Sequence, residues 1–332
     1  MVFVYSAVHF IVDFACAFLM FCSISHAPDW YLCLLLYNFC AFALQMPLGI
    51  LADKCNRNFL FAAVGCVLIA AAYGLWHIPV LSAITLGMGN AMFHIGGGVD
   101  VLNVSEEKSG ALGVFVSPGA LGVYFGTIFG KSNGFSAIII ILMLFVSAGL
   151  IFALRFIGRK TYPKNAEFSL DAKGSPRIFT AIFCLFLVVC LRSYVGLTLN
   201  FPWKNSDYWG IVLVCAVVLG KIAGGFFADK FGVIRTSLFS LGICALLFCF
   251  WQIPLAGIAA VLLFNMTMPI TLWTMAKIFP GAKGFSFGLL TFALFLGFLP
   301  VHFGAGISML LVPILAIVSM VLLWIGLKAA KL

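Results

Sequence analysis

The sequence predicts an all-α polytopic membrane protein with twelve transmembrane helices, and three observations predict it. Of 332 residues, 64% are hydrophobic and only 9% are charged, where soluble domains carry about a quarter. The apolar residues come in continuous runs of about 20, the length a helix needs to cross a hydrocarbon core about 30 Å thick. Those runs do not alternate with polar residues, which excludes the strands of a membrane barrel and leaves helices to satisfy the backbone in lipid.

Breaks at Pro, Gly, Asn and charged residues set the spans at 2–23, 31–51, 59–77, 79–102, 110–130, 134–156, 178–200, 209–228, 233–252, 254–276, 282–303 and 306–328. The first run has no basic region before it and more apolar sequence after it, so it reads as the first span and not as a secretion signal. Most connections are short. The exception is 157–177, IGRKTYPKNAEFSLDAKGSPR, which is polar and basic. The expected organisation is an N-terminal six-helix bundle at 1–156, a linker at 157–177 and a C-terminal six-helix bundle at 178–332.

The net charge of +9 has a topological reading. With the N-terminus inside, the inner loops and ends hold Lys54, Arg57, Lys108, Arg155, Arg159, Lys160, Lys164, Lys173, Arg177, Lys230, Arg235, Lys277, Lys283, Lys328 and Lys331. The outer face keeps Lys131 and Lys204. That asymmetry predicts a cell-membrane protein with both termini in the cytoplasm, and it accounts for the basic balance without nucleic acid. Lys204 and Asp207 fall in an outer loop and read as solvated. The eleven cysteines are scattered through apolar runs with no CxxC pair, so they read as small buried hydrophobes. No HExxH, carboxylate-rich metal cluster, nucleophile motif or GxxxxGK[ST] is present, so neither an enzyme, an ATP-driven pump, a resident metal nor a cofactor is expected.

The chain repeats itself. GILADK at 49–54 recurs as GFFADK at 225–230, a shift of 176 residues, each copy ending the second span of its half. Asn90 and Asn265 fall close to the same shift. Two parallel six-helix halves related about the membrane normal resemble the major facilitator superfamily, whose fold is two such bundles with pseudo-two-fold symmetry. GILADKCNRN resembles that family's loop between helices 2 and 3. The resemblance implies that Gly49 permits close helix packing. It also implies that Asp53, Lys54 and Arg57 form a charge-and-dipole latch stabilising an outward-open state, with Gly225, Asp229 and Lys230 as the second copy. The chain departs from the pattern: Asn56 stands where Gly is usual, Asn58 replaces a basic residue, and the second copy carries its Arg at 235. SPGALGVYFGTIFG places Gly122, Gly126 and Gly130 four apart, a spacing for close helix approach that also resembles the family's antiporter helix 5. HFIVDF, LLLYNFCAFALQMPLGILADK, GMGNAMFHIGGG and LRSYVGLTLNFP loosely resemble the fosmidomycin-resistance exporters, although Ile95 and Gly96 delete a Pro and a Glu of that pattern.

Polar groups within the spans are the candidate site. A charge at the bilayer centre costs about 2.5–3.5 kcal/mol on insertion scales, so it needs a partner or a wet cavity. His9 and Asp13 share a helix face at i,i+4, and histidine is the side chain that changes charge near neutral pH. Asp13 is the expected proton site and His9 its modulator. Asp13 lies 40 residues before Asp53 and Arg192 lies 37 before Asp229. The repeat therefore sets Arg192 on helix 7 at the depth of Asp13 on helix 1, and an Asp13–Arg192 pair would offset the burial of both. Arg192, Asn38, Asn90, His94, Lys221, Asn265 and Trp273 are the candidate substrate contacts. Lys221 occupies the repeat position of Gln45 and has a second reading, snorkelling toward the cytoplasm. His94 has a second reading as a packing residue. Asp100, Glu106 and Glu107 follow helix 4 and read as a solvated face or as latch partners of helix 5.

The expected function is secondary active transport by a monomer in the lipid bilayer: proton-coupled export of a small organic or anionic compound. Its alternatives are a symporter or uniporter for uptake and, from other classes, an intramembrane enzyme or a scaffold.

Overall fold

The structure, a computed structural model, describes residues 1–105, 107–157, 162–172 and 176–331. Glu106, Arg159, Lys160 and Lys173 lie outside the described residues, as does the side chain of Asp207. Twelve helical spans follow one another, and no strand occurs among the described residues. They are α1 Val2–Cys22, α2 Trp30–Cys55, α3 Asn58–Gly74, α4 Pro79–Val104, α5 Gly110–Ser132, α6 Ala137–Ile157, α7 Ile178–Thr198, α8 Asp207–Phe231, α9 Val233–Phe248, α10 Pro254–Ile278, α11 Lys283–His302 and α12 Val312–Ala330. Each falls on a span expected from the sequence. Nine are long and apolar enough to cross a membrane, and α3 and α9 are shorter apolar helices. The remaining one, α4, spends part of its 26 residues on Asn90, His94, Asp100 and Asn103.

Three spans are broken, each for a local reason. In α2, a π-helical turn at Phe39–Ala43 follows Asn38, whose amide donates back to the Leu34 carbonyl at 2.8 Å. In α5, Pro118 has no N–H for the carbonyl one turn earlier, so the helix divides at Ser117. In α10, Pro269 removes the same bond, and the division falls at Met266, after Asn265.

The chain sorts into two compact units. The first comprises Met1–Val104, Pro118–Phe168 and Gly281–Phe292. Its α1 lies against the second segment of α5, where a Cβ on Gly122, Gly126 or Gly130 would run into the Phe10, Phe14 and Phe18 carbonyls in turn. The four-residue spacing expected to bring backbones together does so here, by van der Waals packing between helices. Tyr73 of α3 donates its hydroxyl to the Ala15 carbonyl of α1 at 2.7 Å. Tyr5, Phe93, Ile69, Leu86 and Ile95 fill the core. The second unit comprises Ser105–Ser117, Ser169–Pro280 and Ala293–Leu332. Its α8 meets α10 at Gly220 and Gly224, and Leu112, Phe115 and Phe248 are fully buried in it. Phe3, Phe179 and Leu255 are about four-fifths exposed, as side chains facing lipid are.

Candidate functional site

In the first unit, α1 and α4 build a polar cluster. His9 and Asp13 stand one turn apart on α1, and Asn90 and His94 one turn apart on α4. His9 Nε2 lies 3.2 Å from Asp13 Oδ2, and His94 Nε2 lies 3.7 Å from Asp13 Oδ1. The two imidazoles approach at 2.9 Å between their Nε2 atoms, with the rings edge to face. Asn90 Nδ2 donates to Asp13 Oδ1 at 3.1 Å, and the Asn90 carbonyl accepts from His94 Nδ1 at 2.9 Å. A carbonyl can only accept, so His94 carries its proton on Nδ1 when neutral and presents a lone pair at Nε2. All three side chains are almost buried, at 7–13% exposure. Across the cluster lies Gly119 of α5, where a Cβ would strike Asp13 Oδ2 and His9 Nε2. His9, Asp13 and His94 offer one ligand atom each, all within 4.8 Å of one another.

In the second unit, Arg192 of α7 is 9% exposed. Its Nη1 faces Thr271 Oγ1 at 3.3 Å and Thr267 Oγ1 at 3.5 Å. Both threonines spend their protons on backbone carbonyls of their own helix, those of Phe264 and Met268. Their oxygens are thus turned to the guanidinium. Among the described residues of its unit the Arg192 charge meets two hydroxyls and no carboxylate. Lys221 of α8 donates to the Val116 carbonyl at 3.0 Å, beside the break in α5. That bond caps the broken helix. Asn265 bonds back to the Val261 carbonyl at 2.9 Å, and Asn38 bonds back to the Leu34 carbonyl on α2, so among the described residues neither amide donates across to another helix. Trp273 donates to the Ser105 carbonyl at 3.2 Å and lies under the Lys277 ammonium. It lines a cleft of about 370 Å³ with Glu107, Asp229 and Arg235.

The two copies of the repeat do the same thing in different units. Asp53, at the end of α2, accepts from the Gly284 and Phe285 N–H groups at 2.8 and 2.9 Å. Those are the first free donors of α11, where a carboxylate is favoured by both hydrogen bonding and the helix dipole. Asp229, at the end of α8, accepts from the Ser109 N–H at 2.6 Å, its hydroxyl at 2.9 Å and the Gly110 N–H at 2.9 Å, at the start of α5. Gly49 and Gly225 allow these approaches, since a Cβ on either would meet the Gly284 or Ser109 carbonyl. Asn56 is left-handed, with φ 49° and ψ 40°, a conformation that Asn tolerates as Gly does. Its repeat partner, 176 residues on, is Gly232, with φ 87°. The departure from Gly therefore keeps the turn. Lys54 lies over the Phe168 ring, while Arg57 and Lys230 are exposed.

No protein-family model and no curated protein matches the sequence. Solved structures do. A variant of the E. coli fucose:proton symporter FucP superposes with a TM-score of 0.66 at 13% identity, covering 99% of this chain and 97% of that one. A major facilitator superfamily FucP structure in the outward conformation gives 0.62 at 13% identity, with 98% and 99% covered. A bacterial homologue of the iron transporter ferroportin, outward-facing, gives 0.60 at 13% identity, again with 98% and 99% covered. The chain has the major facilitator fold. All twelve spans read from the sequence are those of this fold, and the repeat that suggested it ends α2 and α8 as the fold requires.

One reading from the sequence is corrected. Asp100 of α4 is neither solvated nor a partner of α5. It is fully buried and accepts from Tyr5 at 2.8 Å, from Asn58 at 2.9 Å and from Tyr162. Glu107 is exposed and pairs with Lys277 at 3.0 Å. The Asp100 network reaches the linker, which the sequence had left as a polar spacer. Asn165 accepts from Asn58 and Asn103 at 2.7 and 2.8 Å and donates to the Ala52 carbonyl at 3.0 Å. Its own N–H goes to Asn56 Oδ1 at 2.9 Å. Burial, and then the charge of Asp100, push the Tyr162 phenol well above its ordinary range, so it stays a proton donor to that carboxylate. Asn58, where the sequence resemblance suggested a basic residue, has its place inside this network.

Proposed function

We propose that the chain is a secondary active transporter that works by alternating access and exchanges protons for a small organic solute bearing an anionic group, in the direction of export. The observation that carries the proposal is the His9–Asp13–His94 cluster, buried on α1 and α4 of a major facilitator fold. Intramembrane ionisable groups are expensive and mark ion and substrate pathways. Two imidazoles and a carboxylate at 2.9–3.7 Å suit proton exchange near neutral pH. Asp13 is the proton site, with His9 and His94 sharing its charge. Arg192 supports an anionic solute, because a buried guanidinium that meets hydroxyls and no carboxylate among the described residues of its unit keeps donors and charge to offer a carboxylate or phosphate. The bodies that rock are the halves 1–156 and 178–332, joined by the linker 157–177. The Asp53 and Asp229 caps are the latches of the outward-open state, with Gly49, Lys54, Arg57, Gly225 and Lys230 around them. The distribution of basic residues supports termini in the cytoplasm of a cell membrane, and the chain works as a monomer.

Uptake by symport is the second reading. FucP is a fucose:proton symporter, and a proton site serves either direction. The test begins with a thermal-stabilisation screen of organic anions on the purified protein, followed by flux of the hits in proteoliposomes with and without an imposed pH gradient. Export coupled to protons predicts gradient-driven flux that is lost in Asp13→Asn, and stabilisation that is lost in Arg192→Ala. Flux indifferent to both the gradient and Asp13→Asn would contradict proton coupling. Flux with the solute moving along the proton gradient would establish symport.

A further inference from the structure

We propose that His9, Asp13 and His94 bind a divalent first-row transition-metal ion of the Zn²⁺ class. The proposal goes beyond transport, since it concerns what the cluster holds at equilibrium and requires no solute. It stands on three features of the geometry. The first is convergence. Donor atoms around an ion at about 2.0–2.1 Å lie about 3.0–3.4 Å from one another; His9 Nε2 lies 2.9 Å from His94 Nε2 and 3.2 Å from Asp13 Oδ2, and one ligand atom from each residue falls within 4.8 Å of the others. The second is lone-pair count. His94 presents an unprotonated Nε2 because its Nδ1 donates to the Asn90 carbonyl, and Asp13 contributes acceptors only. A single proton on His9 Nε2 then faces two acceptors at once, and a cation of higher charge satisfies all three groups together.

The third feature is orientation from outside the ligand set. Asn90 fixes two of the ligands, accepting from His94 with its carbonyl and donating to Asp13 Oδ1 with its amide. Such second partners hold metal ligands in place and set which ring nitrogen coordinates. Gly119 closes one side without filling the site, because its missing side chain is what leaves room for the Asp13 and His9 atoms. Three protein ligands leave a fourth position, open to water or to an oxygen of a solute. Two imidazoles and a carboxylate suit Zn²⁺, Co²⁺ or Ni²⁺ better than Mg²⁺ or Ca²⁺, which take all-oxygen sets. On binding, the proton shared within the cluster leaves to solvent and the ion takes its place.

The experiment uses the purified full-length chain in detergent, with any polyhistidine tag removed, and Co²⁺ as a visible-absorbing probe. Wild type is expected to bind one Co²⁺ per chain, with the intense ligand-field bands of a low-coordinate site, and Zn²⁺ is expected to displace it. His94→Gln and Asp13→Asn are each expected to weaken binding at least about tenfold, as ligand-shell losses do. A melting temperature of each metal-free variant close to wild type shows that the fold is intact. Should His94→Gln unfold, Asn90→Ala gives the same reading from the orienting residue. Absence of stoichiometric binding in wild type overturns the proposal. So does binding of unchanged affinity in folded His94→Gln and Asp13→Asn, which would assign the ion to His26, His77 or His302 instead. Because the assay needs no flux, it stands or falls separately from the transport proposal.

Discussion

Replacing Asn165 by alanine asks whether the linker is fastened to the first unit or merely passes it. The side chain accepts from Asn58 at 2.7 Å and Asn103 at 2.8 Å and donates to the Ala52 carbonyl at 3.0 Å. Neutral hydrogen bonds of this kind contribute about 1 kcal/mol each. Asn103 makes the loss worse. It is 8% exposed and its Oδ1 already has no partner, so removing the acceptor of its Nδ2 orphans a buried amide at about 1–3 kcal/mol. Asn165 itself is half-buried, and water entering its place offsets part of the rest. The expected net loss is about 3 kcal/mol, which lowers the melting temperature by about 4 °C for a chain of this size. A thiol-reactive fluorophore can follow it in detergent, since Cys33, Cys66 and Cys244 are buried and react only on unfolding. Asn165→Asp, which keeps the acceptor and loses the donor, falls between the two. A shift under about 1 °C in the alanine variant, a small fraction of the value worked from its hydrogen bonds, would refute the claim that these bonds fasten the linker.

The other predictions concern the helix contacts and caps. Gly119→Ala drives a methyl into Asp13 and His9 and is expected to destabilise by about 1–3 kcal/mol as an overpacked site; a thermal melt unchanged from wild type would contradict the packing. Asp53→Asn keeps one acceptor and loses the charge at the start of α11, so a loss of about 1–2 kcal/mol is expected from the dipole and charge-assisted bonds. The same change at Asp229 is expected to lower the melt less, because Asp229 is exposed and Asp53 is 4% exposed; the reverse order would undo the argument from burial. Lys221→Met leaves the Val116 carbonyl without its ammonium and is expected to lower the melting temperature without weakening solute binding in the stabilisation assay. Weakened binding would return Lys221 to the solute pathway.

The fold was legible because membrane spans announce themselves by length and composition, and because the repeat marked the ends of α2 and α8. All twelve spans were in place before the structure, as was the glycine spacing of α5 for a close approach, whereas nothing in the spacing of Gly122, Gly126 and Gly130 named α1 as the partner. The pairing of His9 with Asp13 was legible too, since i,i+4 neighbours share a helix face. His94 and Asn90 were singled out as polar residues within a span, yet no spacing places α4 beside α1, so the cluster was invisible. Thr267 and Thr271 give no sequence signal, being ordinary helix residues until Arg192 is set beside them. Asp100 was misread because nearness to a helix end suggested solvent, while its partners Tyr5, Asn58 and Tyr162 come from three distant segments. Long-range polar networks of this kind leave no local pattern.

The central claim is that solute and proton are exchanged by one protein through the cluster on α1 and α4. The most direct measurement loads proteoliposomes with a lumenal pH dye and imposes a gradient of a solute that stabilises the purified protein, with no initial pH difference. Coupled exchange predicts that wild type shifts the lumenal pH as the solute moves, with protons travelling opposite to it, and that Asp13→Asn moves solute without moving protons. Solute movement by wild type with no change in lumenal pH would contradict the claim.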